Sequence, residues 1–358
     1  MIASRFSKAP ASPRFPARPR RGGFTLIEIL VVILVIAILA SLITAVIGNS
    51  LNAARAAATK ATITKLHRLL EERRQAIARD DLRTETRIVR GSLPGLARND
   101  VAKIVAFKEV MRAQLPQRID DLSGADRQFG SPDDSPVLKK LQQLTGEDKN
   151  LNGQLDPGED INGNNQLDTS PFLTNSPTFP PPDSVTTSSE LLYVALTMGA
   201  ELGSGSTPIE FSSSEAVDTD GDGLMEVVDG WGNPLRFYRW PTSLVREDPA
   251  SADDTRPVEL LISGGNSQLW SSDPDDPLGR FSVWLNANAS HNNVLGYFNA
   301  PNVYHVPLIV SAGQDGALGL EEPFEEPLGV YARPLQDPAT RIVLVDNITN
   351  RNIAIGGN

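Results

Sequence analysis

Three stretches of the chain set oxygen donors at alternating positions. In Asp148-x-Asn150-x-Asn152-Gly153-Gln154-x-Asp156-x-x-Glu159 the side chains fill positions 1, 3, 5, 9 and 12 of a twelve-residue loop, and Gly153 serves the turn at position 6. Gln154 offers its backbone carbonyl at position 7. This is the ligand spacing of a calcium loop, in which a hard cation collects carboxylate and carbonyl oxygens and a bidentate Glu closes the shell. Asp160-x-Asn162-x-Asn164-Asn165-Gln166-x-Asp168 repeats the pattern at once. Its twelfth slot is Pro171, which has no ligand to give, so this loop needs to share ligands with its neighbour. Asp218-x-Asp220-x-Asp222-Gly223-Leu224-x-Glu226-x-x-Asp229 is the third, with carboxylates at five slots and the Leu224 carbonyl at the seventh. The alternative for all three is a solvated Asp/Asn/Gly turn cluster. Long helices of the EF-hand kind do not flank them, so free-standing loops are expected.

Other chemistry finds little support. The chain has no Cys and three His, His67, His291 and His305, in unrelated contexts, which excludes a thiolate or imidazole zinc site. Ser311-Ala312-Gly313 lacks the flanking glycines of a nucleophile elbow. No Gly-rich phosphate cradle precedes a helix. An enzyme is not expected. The formal charge of −11 argues against nucleic acid as a partner.

One carboxylate stands in a place that demands a reason. Phe24–Ile47 contains no Pro or Gly, and Glu28 is its only charge. As a helix it reaches about 36 Å, enough to cross a hydrocarbon core of about 30 Å. Ahead of it Arg5, Lys8, Arg14, Arg18, Arg20 and Arg21 form an acid-free, Pro-rich leader that ends in Gly22-Gly23. The positive side stays in the cytoplasm, which sends everything after Ile47 outside it. A secretory signal has its small residues after the apolar run; here they come before.

Arg20-Arg21-Gly22-Gly23-Phe24-Thr25-Leu26-Ile27-Glu28 resembles the type IV prepilin signature, although its leader is longer and richer in Pro than in many members. The resemblance implies that a membrane aspartyl prepilin peptidase cuts between Gly23 and Phe24 and N-methylates Phe24. It also implies that Glu28 neutralises the new amine of a neighbouring subunit during assembly. Glu28 snorkelling to the membrane surface is the alternative. Asp229-Gly230-Trp231-Gly232-Asn233-Pro234-Leu235-Arg236-Phe237 is similar to a motif of type II secretion major pseudopilins. Leu308 to Gly316, with Asp315, resembles the calcium turn that follows it there, and Leu261 to Asn266 is a looser echo. Without the resemblance, Trp231, Gly232, Asn233 and Pro234 make a hairpin corner with a buried Trp.

The elements that must carry these sites follow from periodicity. Beyond the apolar run, Ile63, Leu66, Leu70 and Ile77 share one helical face, with Lys60, Lys65, Arg68, Glu72 and Arg79 opposite, and Gly48 is a soft point between the halves. Asn99 or Asp100 caps a helix with Val101, Ile104, Val105, the Lys108 stem and Met111 on its apolar side. A second short helix covers Pro136 to Leu144, and Ser176 to Pro182 reads as a linker. Ser188 or Ser189 caps a helix ending near Gly199. Leu235–Trp240, Glu259–Ser263, Val306–Val310 and Arg341–Asp346 read as short strands. The expected fold is α+β and pilin-like, an antiparallel sheet leaning on a long N-terminal helix. Its parts are a cleaved leader (1–23), a transmembrane half-helix (24–47), an amphipathic half (48–80), a loop-rich insertion (81–187) and a β-rich domain (188–358).

The resemblance implies a structural subunit of a type II secretion pseudopilus, single-pass in the inner membrane with its C-terminal domain periplasmic. Its expected partners are prepilin peptidase, other pseudopilins or pilins and an inner-membrane assembly platform, with calcium as cofactor. The alternatives are a type IV pilin, serving adhesion, motility or DNA uptake, and a membrane-anchored calcium-dependent binding protein that does not polymerise. Region 81–187 has no counterpart in a short major pseudopilin, so major and minor subunit both stay open.

Overall fold

The computed structural model describes residues 24–92, 99–168, 170–173, 175–177, 179–198, 211–242, 273–288, 298, 306–325, 331–335 and 346–350, with side chains 42–49, 92 and 99 left aside. The leader with Gly23, the expected strand at Glu259–Ser263 and the echo at Leu261–Asn266 lie outside these residues.

Helix α1 runs from Leu26 to Arg79. Two compact units divide within it, residues 1–51 and 52–358. In the first, the large apolar side chains are exposed, from Val35 at 48 % to Phe24 and Leu26 at 83 %. Among the described residues no helix is long and apolar enough to cross a membrane; side chains 42–49, inside the expected span, are among those left aside.

The second unit is α+β. After α1 come α2 (Arg83–Ser92), α3 (Asn99–Gln114), a 3-10 turn (Ile119–Leu122), α4 (Pro136–Thr145) and α5 (Thr187–Thr197). Strands β1 (Ala216–Val217) and β2 (Glu226–Val227) form an antiparallel hairpin. Then β3 (Arg236–Tyr238), helix α6 (Arg280–Ala287), β4 (Leu308–Ser311) and β5 (Ile348–Thr349) follow among the described residues. The second sheet is antiparallel in the order β3-β4-β5, pairing Phe237 with Ile309 and Val310 with Thr349.

One core joins these parts. Ile63, Leu66, Leu70 and Ile77, the predicted face of α1, are all buried, together with Val101 and Val105 of α3, Leu191 and Leu192 of α5, and Phe237, Ile309 and Ile348 of the sheet. Alternate strand residues point to opposite faces, and here the other face is covered too. Tyr238, Leu308 and Val310 pack with Leu318, Leu320 and Ala332. The sheet is thus apolar on both sides, which explains unbroken burial along β4.

Several local expectations need revision. The expected strand Arg341–Asp346 lies outside the described residues except for Asp346, and the last strand among the described residues is β5 at Ile348–Thr349. There Asn350 Oδ1 accepts from Ile309 N at 3.0 Å and extends the pairing by a side chain. Ser188 and Ser189 are not caps. α5 starts after Thr186, and the two hydroxyls bind the neighbouring strands instead. Ser189 Oγ donates to Val227 O (3.0 Å) and accepts from Val227 N (2.9 Å), and Ser188 Oγ accepts from Phe237 N. Burial next to strand backbone gave these hydroxyls unpaired partners that a solvated helix end would not have. Lys108 does more than present its stem, because Nζ is buried and pairs with Asp273 at 2.7 Å. α4 begins as predicted, with Ser135 Oγ accepting from Val137 N and Pro136 in the first turn.

A buried charge cluster ties region 81–187 to the sheet. Asp121, fully buried, accepts from Arg239 Nη1 at 2.9 Å and from Gln117 N at 2.8 Å, with Arg112 and Arg118 close by. Arg239 follows β3, and its guanidinium stacks 4.2 Å from the Trp240 ring.

Candidate functional site

The first turn of α1 is closed by a capping box. Thr25 Oγ1 accepts from Glu28 N at 3.3 Å, and Glu28 Oε2 accepts from Thr25 N at 2.7 Å and Thr25 Oγ1 at 2.9 Å. This reciprocal use of orphan donors fixes the helix start at Leu26, with Thr25 as the capping residue. The Glu28 carboxylate is therefore held against the backbone of Thr25, next to Phe24.

The three oxygen-rich loops share one backbone design. In each, residues at positions 4 and 6 have positive φ: Leu151 (58°) and Gly153 (75°), Gly163 (74°) and Asn165 (55°), Gly221 (83°) and Gly223 (92°). In each, the first Asp accepts from backbone N–H groups of the turn. Asp148 takes Asn152 N and Gly153 N, Asp160 takes Asn164 N and Asn165 N, and Asp218 takes Gly221 N and Gly223 N. The side-chain oxygens of Asn152, Asn164 and Asp222 accept from the N–H of Gln154, Gln166 and Leu224. Asp156 gathers the amides of Asn150 and Asn152, and Asp168 those of Asn162 and Asn164.

The first two loops exchange their closing carboxylates. Glu159 Oε1 accepts from Lys149 N and Oε2 from Asp156 N, both at 3.0 Å, which bolts positions 2 and 9 of the first loop. In the second loop the same two positions, Ile161 N and Asp168 N, are bolted at 3.0 Å by Glu147. Glu147 thus stands where Pro171 offers nothing. Loop spacing alone misses it, although a signal is present: Glu-Asp-x-Asn-x-Asn-x-Gln-Leu-Asp occurs from Glu147 and again from Glu159.

The third loop is wired differently. Glu226 Oε2 accepts from Thr219 N, so the position 9 carboxylate takes over the bolt. Asp229, the expected twelfth ligand, is elsewhere. Its Oδ1 accepts from Trp231 N (2.8 Å) and Asn233 N (2.9 Å), and its Oδ2 from Ser311 Oγ (2.7 Å). In its place α5 delivers Glu190. Among the described residues, Glu190, Asp220, Asp222 and Glu226 are the one group of three or more such side chains with ligand atoms all within 4.8 Å. Glu190 and Glu226 are buried, and Asp220 and Asp222 are exposed. Burial, then the charges of Asp222, Glu226 and Asp220, push the Glu190 carboxyl up to about 8. No local pattern could have found Glu190, which sits in an apolar helix far from the loop in sequence.

Asp229 instead builds a corner. Trp231, Gly232, Asn233 and Pro234 turn the chain between β2 and β3, with Val228 bridging to Pro234. Trp231 is only partly buried against the core. Gly230 N donates to Thr59 Oγ1 of α1 at 2.8 Å, and a Cβ on Gly230 would lie 2.3 Å from Arg55 O. The corner thus touches helix backbone directly, which only Gly permits. Asp315 joins no acidic group of this kind among the described residues; it accepts from Ala317 N within its own turn.

Residues 18–44 match the prokaryotic N-terminal methylation motif, the prepilin signal of type IV pilins and pseudopilins. The motif supports a pilin-like or pseudopilin-type prepilin substrate, and it implies processing by prepilin peptidase, assembly with other pilins and a membrane-anchored place in a cell-envelope filament. Comparison with curated proteins and with solved structures gives no match.

Proposed function

We propose that this chain is a structural subunit of a type II secretion pseudopilus, rooted in the inner membrane by residues 24–47 with the second unit in the periplasm. Prepilin peptidase would cut after Gly23 and methylate Phe24, and Glu28 would meet a neighbour's amine as subunits enter the filament. The observation that supports secretion over a surface fibre is the corner at Asp229–Pro234. It resembles the motif of type II major pseudopilins, and it braces the sheet against α1 through Gly230 and Ser311. Its work is then mechanical, holding the outer domain on the helix that packs the filament. Calcium would fill the tandem loops, with Asp148, Asn150, Asn152, Gln154, Asp156 and Glu159 in the first. Asp160, Asn162, Asn164 and Asp168 would serve the second, with Glu147.

The chain's lack of Cys makes the test clean. Single cysteines placed in 24–47 in the native host should give oxidised ladders of this chain, and deleting the chain should abolish release of secreted proteins. Ladders with normal secretion and lost surface fibres would point to a type IV pilin. Complete absence of ladders would leave a membrane-anchored binding protein.

A further inference from the structure

The carboxylates of Glu190 and Glu226 need a partner that the described residues do not supply. Glu190 is 5 % exposed and Glu226 fully buried, and in each one oxygen, Oε1, is shut from solvent without any donor. A buried carboxylate oxygen left unpaired is costly, more so with like charges beside it. Yet no Lys or Arg among the described residues reaches this group; the donors around it are Thr219 N, Thr186 Oγ1 to Asp220 and Glu190, and loop N–H groups. Two buried carboxylates form the floor and two exposed ones the rim, which leaves an entry path from water.

We infer that α5 and the loop before β2 build a calcium site from Glu190, Asp220, Asp222 and Glu226. All four ligands are hard oxygens, with no nitrogen or sulfur donor to select a transition metal. Four flexible carboxylates suit calcium's large, irregular shell better than the tight octahedron of magnesium. The site differs from the twelve-residue reading of Asp218–Asp229, because its closing carboxylate comes from a helix and Asp229 is committed to the corner. It goes beyond the filament reading and does not depend on it. Bound calcium would cross-link α5 to the β1–β2 hairpin, immediately before the corner that rests on α1.

Radiolabelled calcium dialysed against the full chain in detergent, after chelator treatment, counts the sites. Glu190→Gln, which keeps shape, and Asp220→Ala, which changes an exposed side chain, should each bind one calcium fewer than wild type at a concentration that saturates it. Asp156→Ala serves as the control for the tandem loops and should leave the site at Glu190 filled. Wild-type stoichiometry in either Glu190→Gln or Asp220→Ala overturns the inference.

Discussion

Asp121 shows how a single buried charge can hold distant parts of the chain together. Burial pushes its carboxyl up, but Arg239, Arg112 and Arg118 outweigh that and hold it well below the usual carboxylate range. In the unfolded chain the same group takes its proton near pH 3.9. Its stabilising share is therefore fully present above about pH 4 and drains away as pH falls towards the native value. Removing the carboxylate at neutral pH leaves three guanidinium groups facing a buried void, so Asp121→Ala should cost about 3–5 kcal/mol. Thermal melts from pH 6 to pH 2.5 check both parts. Wild type should lose stability on acidification more steeply than Asp121→Asn, and parallel curves would show that the cluster contributes nothing through Asp121.

Among the elements, the tandem loops are the clearest case of two pieces that complete each other. Each glutamate before a loop closes the other loop, so neither is whole alone. Calcium at a hundredfold excess over Kd should stabilise the folded chain by about 2.7 kcal/mol per site. Glu147→Gln keeps the shape but removes the closing charge of the second loop. A tenfold affinity loss there should shrink the calcium-induced stabilisation by about 1.4 kcal/mol. Differential scanning calorimetry in calcium and in chelator reads this directly, and an unchanged calcium shift would mean that Glu147 only ties backbone. What the sequence disclosed about elements follows the same local logic. The face Ile63–Leu66–Leu70–Ile77, the helix start at Pro136 and the three loops were legible because their signals are local, within one or two turns. Glu190, Ser189 and the buried Lys108 were not, since each takes its role from a partner brought near only by packing. The short strands were weakly marked because a sheet covered on both faces loses the alternation that identifies a strand. Within the candidate sites, the loop scaffold and the closing Glu159 could be read residue by residue, but the closing carboxylates Glu147 and Glu190 were missed.

At the scale of the second unit, the corner at Gly230 is where the sheet meets α1, and its tolerance is measurable. A Cβ at Gly230 would sit 2.3 Å from Arg55 O and 2.8 Å from Arg55 Cα and C, all backbone atoms of a helix that cannot yield locally. Gly230→Ala must therefore move the corner off the helix, breaking the Gly230 N–Thr59 Oγ1 bond as well. Overpacking of this kind costs about 1–3 kcal/mol. Gly91 is the matched control, since it lies on α2, where an added Cβ would meet no atom within 4 Å and no positive φ is needed. There Ala should be neutral or stabilising by up to about 1 kcal/mol. The consequence for assembly separates the two further. Gly230→Ala leaves residues 18–44 untouched, so processing to Phe24 should proceed as in wild type, while filament incorporation should fall because the corner no longer seats on α1 at Arg55 and Thr59. Mass spectrometry of the mature N-terminus reads the first and cross-linking through residues 24–47 the second. Normal ladders from Gly230→Ala, with a melting temperature equal to that of Gly91→Ala, would show that the corner is only a turn and that the domain is held to the helix by the apolar core alone.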